Sequence, residues 1–295
     1  MMAEDVETGG LQLSVFDSSA RDTGYAAIMT PVNLGVDCAC CISFAAALAK
    51  RFQALLIGVA AEDYAVSEFG GEMGLAMEAA VGDEAERQLS DNLMRAEQTF
   101  RRAAGTGLRI EWRSGVGNPR AFLMEQARAA DIVVIARQGA NDASQGRMAI
   151  SLGGLMMEIG RPLLVIPPKS LCLSSDRIIV AWKDSREARG AIWDAMPLLK
   201  QAQSVTVVAV GGDREHQGAI DVSRHLCRHG VASRAHPRLE AQSQVSGQLL
   251  AIAEAGDAGL IVAGAYGHGR MQERIFGGVT RDFLTSTTIP CLMSH

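Results

Sequence analysis

Two stretches of this 295-residue chain repeat each other with their spacing intact, and that repeat limits the fold more than any other feature. Ala130–Gly139 reads ADIVVIARQG and Ala258–Gly267 reads AGLIVAGAYG, each a short apolar run that ends on glycine. Arg161–Ile166 (RPLLVI) and Ile289–Ser294 (IPCLMS) form a second matching pair. Gly139 and Gly267 lie 128 residues apart, and so do Pro162 and Pro290, so no net insertion falls between the two landmarks. The halves also begin alike, with Ile28–Val32 (IMTPV) and Ile178–Trp182 (IIVAW) offset by 150 residues. The first copy must therefore hold extra residues, and Asp63–Gly82 supplies them as an expected loop or lid. Pro167 and Pro168 open the linker, because neither a helix nor a central strand continues easily through two prolines.

Within each copy the pattern alternates between strand and helix. In the second, strands are expected at Arg177–Trp182, Ser204–Val210, Ser233–His236, Leu260–Ala263 and Cys291–Ser294. Helices are expected from a Ser185 cap to about Lys200, at Ala219–His229, at Ser243–Ala255 and at Gly278–Ser286. In the first, Asp83–Ala104 is helical, with Ala85, Leu89, Leu93, Ala96 and Phe100 on one face. Asn118-Pro119 starts another helix, a capping side chain followed by proline at the first position. Continuous apolar strands separated by helices define a doubly wound parallel sheet.

Ligands of such sheets bind beyond the carboxyl ends of the strands, where strand order reverses. After Ala263 the chain reads Gly264-Ala265-Tyr266-Gly267-His268-Gly269-Arg270, and later Phe276-Gly277-Gly278-Val279-Thr280. Glycines let backbone approach an anion with no Cβ in the way, and the N–H groups of a following helix point at it. Thr280 adds a hydroxyl, and His268 or Arg270 a donor or positive charge. Across the 128-residue offset, Gly264 becomes Ala136, Gly277 becomes Ala149, Gly278 becomes Ile150 and Thr280 becomes Leu152. The first copy keeps the strands and loses the loop, so the second loop has a use beyond folding.

Gly264, Gly267 and Gly277, with nine residues between the last two, resemble the loop of the universal stress protein family. The resemblance covers Tyr25–Pro168 and Arg177–His295. It implies two tandem Rossmann-like domains, 1–168 (with 1–24 a poorly structured lead-in) and 173–295, each a five-stranded parallel sheet of order 3-2-1-4-5 with helices on both faces. It also implies a stress-response protein that binds ATP or another adenine nucleotide without strong enzymatic activity. Phosphates would meet Gly267, His268, Gly277, Gly278 and Thr280, with Gly264, Gly269, Arg270 and Val279 completing the loop; adenine would lie by Ala181 and the end of the next strand, Val208 to Val210. Family members pair through their last strands, so the halves are expected to form an internal pseudo-dimer, with a homodimer as a further assembly. Two departures stand out: Lys183 replaces the family's acid after the first strand (Asn33 in the first copy), and Gly278 replaces a hydroxyl residue. An ammonium cannot accept the hydrogen bond that an acid would. A nucleotide-free scaffold and a weak nucleotide hydrolase using His268 are the competing functional readings.

Composition excludes other classes. Net charge is −5 and aromatics make up 5%, so neither a basic nucleic-acid surface nor base-stacking platforms are expected. Met1–Gly10 carries three acids and no base, unlike a secretion signal, and no apolar run spans a bilayer, which points to a cytoplasmic protein. There is no P-loop motif. Cys38, Cys40 and Cys41 read as small buried hydrophobes rather than metal ligands, and no metal is expected. His225 and His229, four apart on a helix, read as a surface pair in the absence of a third ligand.

Overall fold

The computed structural model describes residues 24–35, 38–63, 74–138, 146–240, 244–266 and 278–295, with 74–83 as helical backbone only. The first half runs β1 (Ala27–Pro31), α1 (Cys38–Phe52), β2 (Leu55–Glu62), α2 (Gly74–Ala104), β3 (Ile110–Val116), α3 (Pro119–Gln126), β4 (Ile132–Ala136), α4 (Leu152–Glu158) and β5 (Leu163–Ile166). The second runs β6 (Arg177–Trp182), α5 (Arg186–Asp194), α6 (Met196–Leu199), β7 (Ser204–Ala209), α7 (Asp213–Arg228), β8 (Ser233–Ala235), α8 (Val245–Ala255), β9 (Leu260–Gly264), α9 (Gly278–Ser286) and β10 (Cys291–Ser294).

The strands form one sheet in the order β3-β2-β1-β4-β5-β10-β9-β6-β7-β8. Counted within its own half, each set of five has the order 3-2-1-4-5 and is parallel throughout. The halves meet at β5 and β10, which pair antiparallel with Cys291 opposite Val165. The central strands are apolar on both faces because both are covered by helices. Alternate residues divide between two cores: Ile132 and Val134 join Phe44 of α1, Phe100 of α2 and Leu226 of α7, while Val133 and Ile135 join Leu123 of α3, Leu155 of α4 and Phe283 of α9. Each such side chain, fully buried, contributes roughly 1.5–3 kcal/mol. The outermost strands, β3 and β8, are partly exposed and carry Glu111, Arg113 and Arg234, charges that discourage edge-to-edge association.

Bonds between the halves extend beyond the β5–β10 ladder. The Tyr25 hydroxyl donates to the Asp194 carbonyl at 2.8 Å, and Arg51 Nε donates to Gln201 Oε1 at 2.7 Å. Burial, reinforced by the Asp194 carboxylate, pushes the Tyr25 phenol well above its ordinary range.

Caps fall where the residue types placed them. Asn118 Oδ1 accepts from Ala121 N at 3.1 Å, and Ser185 Oγ accepts from Ala188 N at 3.2 Å. Three boundaries differ from expectation. The Asp63–Gly82 loop or lid is helical from Gly74 onward, since Leu75, Ala76, Met77, Glu78 and Ala79 are strong helix formers; residues 64–73 lie outside the described residues. The helix expected to run from Ser185 to Lys200 divides at Ala195, because Pro197 cannot donate to the preceding turn. Helix α7 begins at Asp213 rather than Ala219, because Glu215 folds back to accept the Gly212 N–H at 2.9 Å. The poorly structured lead-in expected at 1–24 lies, but for Gly24, outside the described residues.

Candidate functional site

In the second half, the carboxyl ends of β6 and β9 stand at the reversal of strand order, with the first turn of α5 on one face and α9 on the other. Gly264 closes β9 and is filled by protein on its side-chain side: a Cβ there would lie 2.4 Å from Ala188 N and 2.7 Å from the Glu187 carbonyl carbon. Its glycine is thus required by the close approach of α5. Tyr266 follows in the left-handed region at φ 57°, and its N–H donates to Thr280 Oγ1 at 3.3 Å. Thr280 is buried, so its hydroxyl ties the two ends of the intervening loop together. The Tyr266 hydroxyl reaches the Gly153 carbonyl of α4, and burial raises its phenol above the ordinary value.

Gly278, the first residue of α9, is exposed, and a Cβ there would meet nothing within 4 Å among the described residues. Val279 is half-buried against the second core. Ala181 pairs with Val208 on one side and Ala263 on the other, and all three face that same core. Val210 extends β7 by a single bridge to Leu239. Lys183 is exposed, and its carbonyl accepts from Ser185 N at 2.7 Å in the turn into α5. Gly267, His268, Gly269, Arg270 and Gly277 lie outside the described residues. The structure therefore gathers Ala181, Lys183, Gly264, Gly278, Val279 and Thr280 around the switch point, with Val208 and Val210 one strand farther out.

The corresponding place in the first half is closed. Gln138, the counterpart of Tyr266, turns its side chain onto the start of α4, where Oε1 accepts from Leu152 N at 3.2 Å and Nε2 donates to the Ile150 carbonyl. Ile150 and Leu152, the counterparts of Gly278 and Thr280, are buried, as is Met148. Arg147 reaches across to Glu62 at the end of β2, 3.8 Å away, and Asn92 of α2 donates to the same carboxylate at 3.0 Å. The Glu62 side chain is 3% exposed. An amide side chain thus holds the backbone N–H that an anion would otherwise meet, and an ion pair spans the crevice. Gln138, Arg147 and Glu62 went unremarked in the sequence; the signals available were a carboxylate ending an apolar eight-residue strand and an amide opposite Tyr266 in the repeat.

Elsewhere, a cleft of about 260 Å³ opens at the opposite, amino-terminal end of the second half, lined by Arg177, Ser204, Thr206, Arg234, Gly256 and Ala258. It includes none of the anticipated site residues. Among the described residues no three His, Cys, Asp or Glu side chains cluster as a metal site. Cys38 and Cys41 face the core of α1, and burial pushes their thiols up to about 11 and about 12. No helix is long and apolar enough to cross a membrane among the described residues.

This architecture is that of universal stress proteins, a doubly wound five-stranded unit present twice. A universal stress protein from Archaeoglobus fulgidus DSM 4304 superposes with a TM-score of 0.68 at 15% identity, over 91% of this chain and 98% of that one. A protein of unknown function from Pseudomonas aeruginosa PAO1 superposes with a TM-score of 0.51 at 13% identity, over 92% of each chain. No family model and no curated protein matches the sequence. At such identities the likeness is one of fold.

Proposed function

We propose that this chain is a stress-response regulator of the universal stress type that binds an adenine nucleotide, ATP or a relative of it, in its second half. The observation that carries the reading is the contrast at the starts of α9 and α4. Among the described residues nothing approaches a Cβ at Gly278, whereas its counterpart Ile150 is buried and Gln138 occupies the adjoining N–H. Phosphates would sit before the N-terminus of α9, where backbone N–H groups and the helix dipole favour negative charge. Gly267, His268, Gly269, Arg270, Gly277, Gly278 and Val279 would enclose them. Thr280 would brace the loop through Tyr266. Adenine would lie over Ala181, toward Val208 and Val210, and Lys183 would face the phosphates from the α5 side.

The units are residues 1–168 and 173–295, and they act as an internal pseudo-dimer; the antiparallel β5–β10 pairing supports this. The first unit serves as a structural partner, and the setting is the cytoplasm. The test is the melting temperature with ATP, ADP and AMP. A ligand at 100 times its Kd adds roughly 2.7 kcal/mol of stability. Gly278→Val, which adds atoms to open space, should leave the unliganded protein folded and abolish the shift. No shift of the parent protein with any adenine nucleotide would refute the reading.

A second reading, a nucleotide-free scaffold of the same fold, is favoured by Lys183 at the place of an acid and by Thr280, whose hydroxyl is already engaged by Tyr266. Partner capture that persists in Gly278→Val would support it.

A further inference from the structure

Two histidines stand at the end of helix α7, His225 in its last turn and His229 as its C-cap. His225 and His229 are one turn apart, their ring centroids are 4.7 Å apart and their planes are inclined by 70°. Trp193, on α5 and 62% exposed, stands edge-on to His229 at 5.4 Å. Neither imidazole has a hydrogen-bond or ion-pair partner among the described residues. Cys227 projects instead toward β8, with its Sγ 3.3 Å from the Ser233 carbonyl.

We propose that His225 and His229 form a chelating site for an imidazole-preferring divalent transition metal, copper(II) ahead of nickel(II) and zinc(II), with Trp193 as its wall. The geometry fits two cis ligands. A metal about 2 Å from a ligating nitrogen lies roughly 3.2 Å from that ring's centre, so two nitrogens bound at about 90° put the ring centres roughly 4.5 Å apart. The rings already stand 4.7 Å apart. Their place at the helix C-terminus adds the negative end of the backbone dipole, which favours a cation. The indole, 5.4 Å from the His229 ring, is close enough for a bound copper(II) ion to quench its emission. Two protein nitrogens leave the other positions to water, a tetragonal N,O set that suits copper(II), and the order of affinities among first-row metals places copper first.

The site is independent of the nucleotide reading, because α7 lies on the other face of the sheet from α9. The probe is copper(II) chloride added to the full chain at pH 7.5, read as the emission of the parent protein minus that of Trp193→Phe, with binding measured separately by calorimetry. One equivalent should bind and quench the Trp193 component. His225→Ala and His229→Ala should each weaken binding roughly 10²-fold, since losing one arm of a chelate forfeits its effective concentration. Trp193→Phe should keep binding and lose the quench. Binding that leaves Trp193 emission unchanged, or quenching that survives the double histidine variant, would overturn the proposal; circular dichroism confirms that each variant is folded.

Discussion

Gly264 at the end of β9 and Gly278 at the start of α9 carry opposite expectations, and alanine at each separates packing from ligand space. At Gly264 an added Cβ would fall 2.4 Å from Ala188 N, 2.7 Å from the Glu187 carbonyl carbon and 2.9 Å from Ala188 Cα. Unstrained carbon contacts begin near 3.5 Å, so the first turn of α5 must withdraw by about 1 Å. All three atoms are backbone, and no rotamer change relieves them. The helix is anchored by the Ser185 cap and by buried Ala188, Ala191 and Ile192, so withdrawal loosens contacts along its length. Overpacking of this kind costs about 1–3 kcal/mol, and the absence of a flexible neighbour places Gly264→Ala at the upper end. At about 2–4 °C per kcal/mol for a domain of 150–250 residues, the melting temperature should fall by roughly 5–10 °C. Gly278→Ala should leave it unchanged or raise it slightly, because the new methyl enters open space and alanine is the better helix former. Differential scanning calorimetry of the two variants side by side makes the measurement. Equal melting temperatures would refute the close approach of α5 to β9 and, with it, the assignment of Gly264 to packing.

Four further outcomes follow from the first half and the cysteines. Gln138→Ala removes the acceptor of Leu152 N and the donor to Ile150 O and should cost about 1–2 kcal/mol in urea denaturation; an unchanged midpoint would deny the closure of that crevice. Glu62→Ala leaves the Asn92 amide without its carboxylate and should cost about 1–3 kcal/mol by the same assay, with Asn92→Ala additive to it by much less than its own effect. Iodoacetamide at pH 8 should label exposed Cys172 and Cys227 and spare Cys41 and Cys291 until the protein unfolds, read by peptide mass spectrometry, because burial pushes the latter two thiols up to about 12. The same two thiols make stability depend on alkaline pH. Their folded values stand above the unfolded value near 9, so the folded state holds the protons longer. Their contribution is complete below pH 9 and is lost between 9 and 12, by at most about 1.4 kcal/mol per pH unit for each. Cys291→Ala should make the decline shallower.

The strand order was legible because it depends on long-range pattern. Continuous apolar runs such as IVVIA and LLVI, each set between turn residues and helices, read as strands buried on both faces, and the preserved spacing of Gly139 with Gly267 and Pro162 with Pro290 makes the two halves one design. Caps at Asn118 and Ser185 were legible because each depends on a side chain three residues from its N–H partner. What could not be read depends on contacts between distant residues. Gly264 resembles a ligand glycine in sequence, yet the helix that needs its missing Cβ starts 78 residues earlier, at Arg186. Glu62 and Arg147 are 85 residues apart, and neither announces the other. The α7 start at Asp213 depends on Glu215 reaching back to Gly212, a local signal that the apolar period alone passes over.

The closed crevice of the first half is also part of the joint between the halves. Gln138 fills the start of α4 with its side chain while its own N–H donates to the Leu284 carbonyl of α9 at 3.2 Å. Its neighbour Arg137 donates to the Thr285 carbonyl at 3.1 Å. On the other side of the pseudo-twofold relation, Tyr266 reaches Gly153 of α4 through its hydroxyl. Both loops that follow a fourth strand therefore clasp the opposite unit's last helix, but only the first has a short polar side chain that can turn inward as well. Tyr266 directs its ring toward α4 and His295, and its backbone N–H donates to Thr280. At equivalent positions, then, Gln138 seals the start of α4 with its side chain while Tyr266 turns its ring toward α4 and His295, and the same β5–β10 pairing runs beneath both.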